Sequence, residues 1–256
     1  MGTVSKALGL LEILKDPDAV LGLTEISKLA GFDKATTRRL LLELAANGFV
    51  EQEAASRAYL LGPALQMLGH AREKRFPLFR TVQPFVRELA EQTGETVHAA
   101  EYCAGALVSI CSEQSDKANR VILEHGQRLP LHATASGMAF MAASSPAFAE
   151  AVLRKPMQAY TKTTPVDRAL LLTMVGETAQ RGYSISNQSL EDGVHSVAAA
   201  ITSNGSKPVG TIAVAMPSSR VSPAIIEQYG RLVCQTAGDI SVKLFGRSSA
   251  PLRRAS

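Results

Sequence analysis

An α+β fold in two domains is what this sequence predicts, and three observations predict it. The chain has 256 residues, more than the roughly 100–200 of a usual single domain. Helical periodicity and short helix-stopping turns fill its first fifty or so positions. Beyond them, strand-like runs alternate with helices and end in a long hairpin followed by one last helix. Hydrophobic residues at 46% and charged residues at 20% supply a proper aliphatic core and exclude a disordered chain.

Val4, Ala7, Leu8, Leu11 and Leu14 recur at helical spacing and predict a first amphipathic helix ending near Asp16-Pro17. A second starts after Thr24, whose hydroxyl can cap it, buries Ile26, Leu29 and Ala30, and stops at Gly31. A third runs from Lys34 to Gly48 with Asp33 as N-cap and Thr37, Leu40, Leu41 and Leu44 as its apolar stripe. Two short helices joined by a tight turn form a helix-turn-helix, whose second helix enters a DNA major groove. Lys34, Ala35, Thr36, Arg38 and Arg39 lie off the stripe and are candidates to face DNA. Phe49–Gln52 and Ala58–Leu61 predict a hairpin whose loop, Glu53 to Arg57, is the wing; Arg57 is a candidate phosphate contact. The same pattern also describes a packed three-helix subdomain with a solvated basic face, and acidic residues nearly balance the basic ones here.

Residues 63–77 predict a joining helix whose Leu65, Leu68 and Ala71 can pair with a second copy. A helix from Phe79 to Gln92 leads into two strands around the turn Cys103-Ala104-Gly105. The stretch from Arg120 reads as a strand passing through Gly126 and Pro130 into a helix that begins near Thr134 to Ser136. A helix N-terminus exposes unpaired amides that suit a carboxylate, although a simply capped helix explains the pattern as well. Pro165 to Gly182 predicts another helix, Asn204-Gly205 the turn of a long hairpin, and Pro223 to Phe245 the final helix. Helices on one side of an antiparallel sheet leave the other face free for a pocket.

A net charge of +4 is compatible with nucleic acid, but Arg247, Arg253 and Arg254 hold part of it in a Ser-rich tail. Cys103, Cys111 and Cys234 are odd in number and widely spaced, matching neither a disulfide framework nor paired zinc ligands. The N-terminus is amphipathic and unlike a signal peptide, and no stretch approaches the about 20 apolar residues of a membrane span, so a cytoplasmic location is expected. His98, His125, His132 and His195 are scattered without metal-ligand spacing, and Glu191 and Asp192 fit a solvated turn. Ser136 beside His132 invites a hydrolase reading, but Thr134 and Met138 stand where a nucleophile elbow needs glycines. Neither an enzyme nor a cofactor is expected.

The stretches VSKALGLLEIL, LTEISKLAGFDKATTRRLLLELAANGFVEQ and YLLGPALQMLG resemble the DNA-binding region of IclR-type transcriptional regulators. LPLHATASGMAFMA, RGYSISNQSLEDGVHSVAAAI and NGSKPVGTIAVAMP are similar to that family's effector-domain signatures, in the same order, so that the likeness spans roughly residues 3 to 245. The resemblance implies a winged helix-turn-helix at 1–63, a linker helix at 64–77, a GAF-like effector domain with an antiparallel sheet at 78–246 and a basic flexible tail at 247–256. It also implies a dimer or tetramer on a palindromic operator controlling catabolic genes, with a small organic or aromatic carboxylate as effector. Carried over by position, the effector pocket would take in Ala118, Ala135, Ser136, Ser186, Ser196, Ala213 and Ala215. The last two depart from members with hydroxyls there, which points to a ligand with an apolar body and one acid group. The competing reading is a small-molecule-binding or enzymatic domain whose N-terminal helices mediate protein contacts.

Overall fold

The computed structural model describes residues 2–16, 19–203 and 207–246. Pro17, the Asn204-Gly205 turn and the basic tail 247–256 lie outside the described residues. The chain forms two compact units, one reaching to Phe76 and the other beginning at Pro77.

The first unit holds α1 (Thr3–Ile13), α2 (Leu23–Ala30), α3 (Lys34–Ala46), a hairpin of β1 (Val50–Gln52) and β2 (Tyr59–Leu61), and α4 (Ala64–Arg75). Leu10, Ile26, Leu40, Leu41, Val50 and Tyr59 draw the three helices and the hairpin around one core. Gly31 takes the left-handed conformation (φ 67°) that ends α2, and Ser27 Oγ donates to Phe32 O at 2.7 Å, fixing the turn between the helices. Two sequence expectations change here. Thr24 caps nothing, because α2 already starts at Leu23 with Gly22 as its N-cap. Leu29 is 64% exposed, and Ser27, beside Ile26 on the core-facing side, is buried in its place. No residue of α4 is buried.

In the second unit α5 (Leu78–Thr93) leads into the meander β3 (Thr96–Cys103) and β4 (Ala106–Glu113), followed by β5 (Arg128–Leu129), α6 (Ala135–Ala143), α7 (Pro146–Leu153) and α8 (Arg168–Arg181). β6 (Ser184–Asn187), β7 (Val194–Ser203), β8 (Lys207–Pro217) and α9 (Pro223–Phe245) complete it. The six strands form one antiparallel sheet in the order β5-β4-β3-β8-β7-β6. α6 packs on one face, where Tyr102 of β3 stacks on Phe140 at 4.8 Å. α5 and α9 cover the opposite face, on which Val97, Val197, Ile212 and Val214 are fully buried.

Helices therefore lie on both faces, and the expectation of one free face is wrong. β7 and β8 contain unbroken apolar runs, residues 197–201 and 212–217, and strands of that kind need cover on both sides. The strand expected from Arg120 is also absent. Val121 and Leu123 point inward and Ile122 outward as in a strand, but their carbonyls are met by side chains: Thr96 Oγ1 donates to Val121 O at 2.6 Å and Ser112 Oγ to Leu123 O at 3.1 Å. α8 starts three residues later than the sequence suggests, because Asp167 accepts from Leu170 N at 2.7 Å and so caps it.

Candidate functional site

α3 presents its outer face under tight local control. Asp33 accepts from Thr36 N at 2.7 Å, and Thr36 Oγ1 donates to the other carboxylate oxygen at 2.8 Å. These two hydrogen bonds hold the Asp33 carboxyl below its usual range, so the cap is ionised at neutral pH. Lys34, Ala35, Arg38 and Arg39 are exposed around this start, while Thr36 is half-buried with its hydroxyl committed to the cap. Leu42, 51% exposed, extends the same face one turn beyond Arg38 and Arg39 and was not singled out from the sequence. In the hairpin loop Arg57 is exposed and has φ 62°. Its backbone is pinned on both sides, Arg57 N donating to Glu53 O at 2.9 Å and Gln52 Nε2 to Arg57 O at 2.9 Å.

The second site lies between α6 and the sheet. Strand register lines up Thr96, Ala215, Ser196 and Ser186 in one row across the face, and His98, Ala213, Ala198 and Ser184 in the next. α6 sits close on these rows because the facing residues are small: Ala135 and Ala139 pack on Ala198 and Ala213, and Ser184 Oγ donates to Ala135 O at 2.6 Å. Thr134 is the N-cap; its hydroxyl accepts from Gly137 N at 2.9 Å and donates to Pro130 O at 2.8 Å. The amides of Ala135 and Ser136 are the first two of the helix and have no partner within it.

A partly open cavity of about 50 Å³ lies at this helix start. Ala135, Ser136, Ser186, Ser196 and Ala215 line it. Ala118 and Ala213 do not: Ala118 is exposed in the loop before Val121, and Ala213 is sealed beneath α6 by Ala135 and Ala139. Val121, Leu123, Leu129 and Val194 give the cavity an apolar wall, and Glu191 stands in its lining as the sole ionisable group besides a histidine. A water needs roughly 10–15 Å³ of such space, so only a few small groups fit without movement of the wall.

That histidine is His98, which sequence reasoning left among the scattered ones. It is 4% exposed, its Nε2 lies 3.2 Å from Ser136 Oγ, and its Nδ1 has no partner. Burial holds its pKa down to about 4, so it is neutral at pH 7. Ser136 thus meets a histidine, but one 38 positions upstream; His132, the neighbour in sequence, is engaged through Nε2 with Gln158 O at 2.9 Å. A Ser–His pair used as nucleophile and base needs a third group orienting the imidazole, and none touches His98. Among the described residues no cluster of three or more His, Cys, Asp or Glu is placed to hold a metal.

Both units match known proteins. Residues 3–54 match the IclR helix-turn-helix domain, and residues 70–242 match the model of the bacterial transcriptional regulator IclR C-terminal domain. Transcriptional repressor IclR of Escherichia coli is 29% identical over 247 residues, covering 95% of this chain and 90% of the relative. A crystal structure of an IclR-type regulator from a Silicibacter species is 35% identical with a TM-score of 0.86, over 96% of this chain and 97% of that one. An IclR homologue from Microbacterium hydrocarbonoxydans, solved with 4-hydroxybenzoate, has the same fold at 19% identity, with a TM-score of 0.82 over 95% of this chain and 99% of that one.

Proposed function

Because the chain belongs to the IclR family of bacterial transcriptional regulators, we propose that it binds a palindromic operator as a homodimer or homotetramer in the cytoplasm and changes its grip when a small carboxylate occupies the α6 cavity. The observation that carries this reading is the coincidence of a capped, exposed basic helix in the first unit with a cavity at a helix N-terminus in the second. DNA contact falls to Lys34, Ala35, Thr36, Arg38, Arg39 and, from the wing, Arg57. Ligand contact falls to Ala135, Ser136, Ser186, Ser196 and Ala215. Residues 1–63 act as the winged helix-turn-helix, 64–77 as the linker and 78–246 as the effector domain. In α4, Met67 and Leu68 are 72% and 58% exposed, a surface suited to a second copy of the chain. Catalysis is not part of this reading, and the alternative of N-terminal helices serving only protein contacts is not favoured, since both family matches are to a transcriptional regulator.

For the ligand, the apolar wall and the single helix start favour one acid group on an apolar body. The Microbacterium relative was solved with a molecule of that kind. The wall best able to yield to a larger ring is Val121–Leu123, which is held by side-chain hydrogen bonds and not by a strand ladder. Regulation requires differential affinity of the acid for the two DNA-binding states, not binding alone. An anisotropy titration against the DNA upstream of the chain's own gene, with aromatic and aliphatic acids added, tests both halves. Salt-dependent, sequence-selective binding altered by an aromatic acid is expected. Tight binding of glyoxylate or pyruvate with no response to aromatic acids overturns the ligand class, and absence of selective binding overturns the regulator.

Two arginines separate base reading from backbone contact. Arg38→Ala is expected to weaken operator binding by about 1–3 kcal/mol and to relax base preference. Arg57→Gly keeps the left-handed turn, which glycine adopts freely, while removing the charge. It should weaken all sequences alike and lower the salt slope by about one unit. Equal operator affinity of Arg38→Ala and wild type removes Arg38 from the recognition set.

A further inference from the structure

An acid in the effector cavity meets no cation in its lining, so hydrogen bonds must hold its charge. A carboxylate only accepts, and two or three N–H groups keep it ionised without a counter-charge. The first amides of α6, those of Ala135 and Ser136, supply two. Whether His98 supplies another depends on which ring nitrogen carries its hydrogen. Burial keeps this ring neutral, its pKa held down to about 4 with no charged neighbour contributing, so there is one hydrogen to place.

Counting partners places it. Among the described residues Ser136 Oγ meets one polar group, His98 Nε2 at 3.2 Å, whereas Thr134 and Ser144 turn their hydroxyls back onto a carbonyl four residues earlier. A hydrogen on Nε2 would point at Ser136 Oγ and leave two buried groups open, the serine O–H and the bare Nδ1. With the hydrogen on Nδ1, the serine O–H donates to Nε2 and one group stays open, an Nδ1–H with no acceptor. Open buried polar groups are costly, so the second arrangement is the stable one. His98 thus adds a buried N–H donor to the two amides of α6. Glu191 stands apart from this inner end. It is exposed and lines two neighbouring clefts as well, which puts its carboxylate at their common rim, in water. A charge there opposes a second acid group at the outer end of a ligand, not the first one at the α6 start.

Resting on the effector reading above, we propose that His98 is the side chain that recognises the acid, donating Nδ1–H to a carboxylate that the α6 amides also hold. Ser136 is the positioning residue, since its hydroxyl on Nε2 keeps the ring hydrogen on Nδ1. Glu191 at the rim turns away a second acid group, so the ligand class is a monocarboxylate. The acid binds as the anion, and neither ring nor ligand gains a proton.

Calorimetric titration of the full chain with benzoate, 4-hydroxybenzoate and terephthalate at neutral pH tests the proposal. Asparagine at position 98 places its amide near Nδ1 and glutamine near Nε2, so His98→Asn keeps the donor and His98→Gln keeps only the contact with Ser136. His98→Asn is expected to bind benzoate nearly as tightly as wild type, and His98→Gln about 10- to 100-fold more weakly. Equal affinity of His98→Gln and wild type overturns the role of His98 and leaves the effector cavity standing. Terephthalate should bind about fivefold or more weakly than benzoate, with the gap narrowing in Glu191→Gln; an unchanged gap removes Glu191 from the selection. The ring nitrogen shifts of wild type, read by NMR, need no variant to fold. His98 should appear as the Nδ1–H tautomer and that nitrogen should move on adding benzoate. An Nε2–H tautomer, or shifts untouched at saturating benzoate, overturns the proposal. Ser136→Ala frees Nε2 and should let the Nε2–H tautomer appear in the empty protein; a ring that stays wholly Nδ1–H denies Ser136 its positioning role. Failure of benzoate and 4-hydroxybenzoate to bind wild type removes the effector reading and this one with it.

Discussion

Gly137→Ala is expected to destabilise the second unit by about 3 kcal/mol, the upper range for forcing an extra carbon into a packed site. A Cβ at this position would lie 2.3 Å from both Leu131 Cα and Leu131 O. Those atoms are backbone and cannot step aside as a side-chain tip can. Leu131 belongs to the segment that brings Pro130 O to the Thr134 hydroxyl, so displacing it also disturbs the cap that sets the start of α6. Acid binding should fall with stability. Gly176 and Gly238 supply the control, since both lie inside helices and an added Cβ meets nothing within 4 Å. There the change to alanine should stabilise by about 0.5–1 kcal/mol through helix propensity alone. Thermal unfolding of the three variants decides the matter; a Gly137→Ala chain as stable as the controls would show that Leu131 is free to move.

The contrast between these glycines shows what the sequence could and could not convey. Local signals placed elements well where one residue type has one job. Asp33 marks the start of α3, Gly31 the end of α2, and Pro223 the start of α9. They failed where a segment's backbone is satisfied from a distance. Val121 to Leu123 alternates inward and outward like a strand, but its hydrogen bonds come from Thr96 and Ser112, and nothing local announces that. β6 is short and polar, and it is a strand because Ile185 and Ser186 find partners in β7. α7 follows α6 after only Ser144 and Ser145, the second of which caps it, and it was missed although Ser145-Pro146 is a helix-start signal. The covering of both sheet faces was legible in the unbroken apolar runs of β7 and β8.

The candidate cavity follows the same division. Ser136, Ser186, Ser196 and Ala215 came from a resemblance that carries positions but not contacts, and for that reason it also carried Ala118 and Ala213, which sit outside the cavity. His98 could not be found locally. A histidine in an apolar strand reads as core until its contact with Ser136, 38 residues away, and the orphaned Nδ1 are seen together. The readable signal was the chemistry of burial itself: an ionisable side chain between Val97 and Ala99, both fully buried.

Arg220→Ala is expected to cost about 3 kcal/mol, the low end for breaking a buried ion pair, because Lys117 still faces the stranded carboxylate. Glu95 is 3% exposed; Arg220 grips it through Nε and Nη2 at 2.6 Å each, and Lys117 Nζ adds a third bond at 2.9 Å. Burial alone pushes this carboxyl up, but the hydrogen bonds from Arg220 and Lys117 outweigh it and leave Glu95 below the ordinary glutamate value. Folding therefore favours the ionised form. The stability from this group is complete above about pH 4.3, the unfolded value, and is lost as pH falls through the lower folded value. Glu95→Gln should accordingly be less stable than wild type at neutral pH, with the gap closing in acid; a gap independent of pH would mean that packing, not charge, holds this corner. The effect reaches the cavity as well. Arg220 Nη1 donates to Asn119 O at 2.8 Å, and two residues later Val121 O accepts from Thr96, so the ion pair anchors the segment that becomes the cavity wall. Loosening that anchor should weaken acid binding beyond the loss of stability, measurable as a poorer affinity at temperatures where Arg220→Ala is still folded.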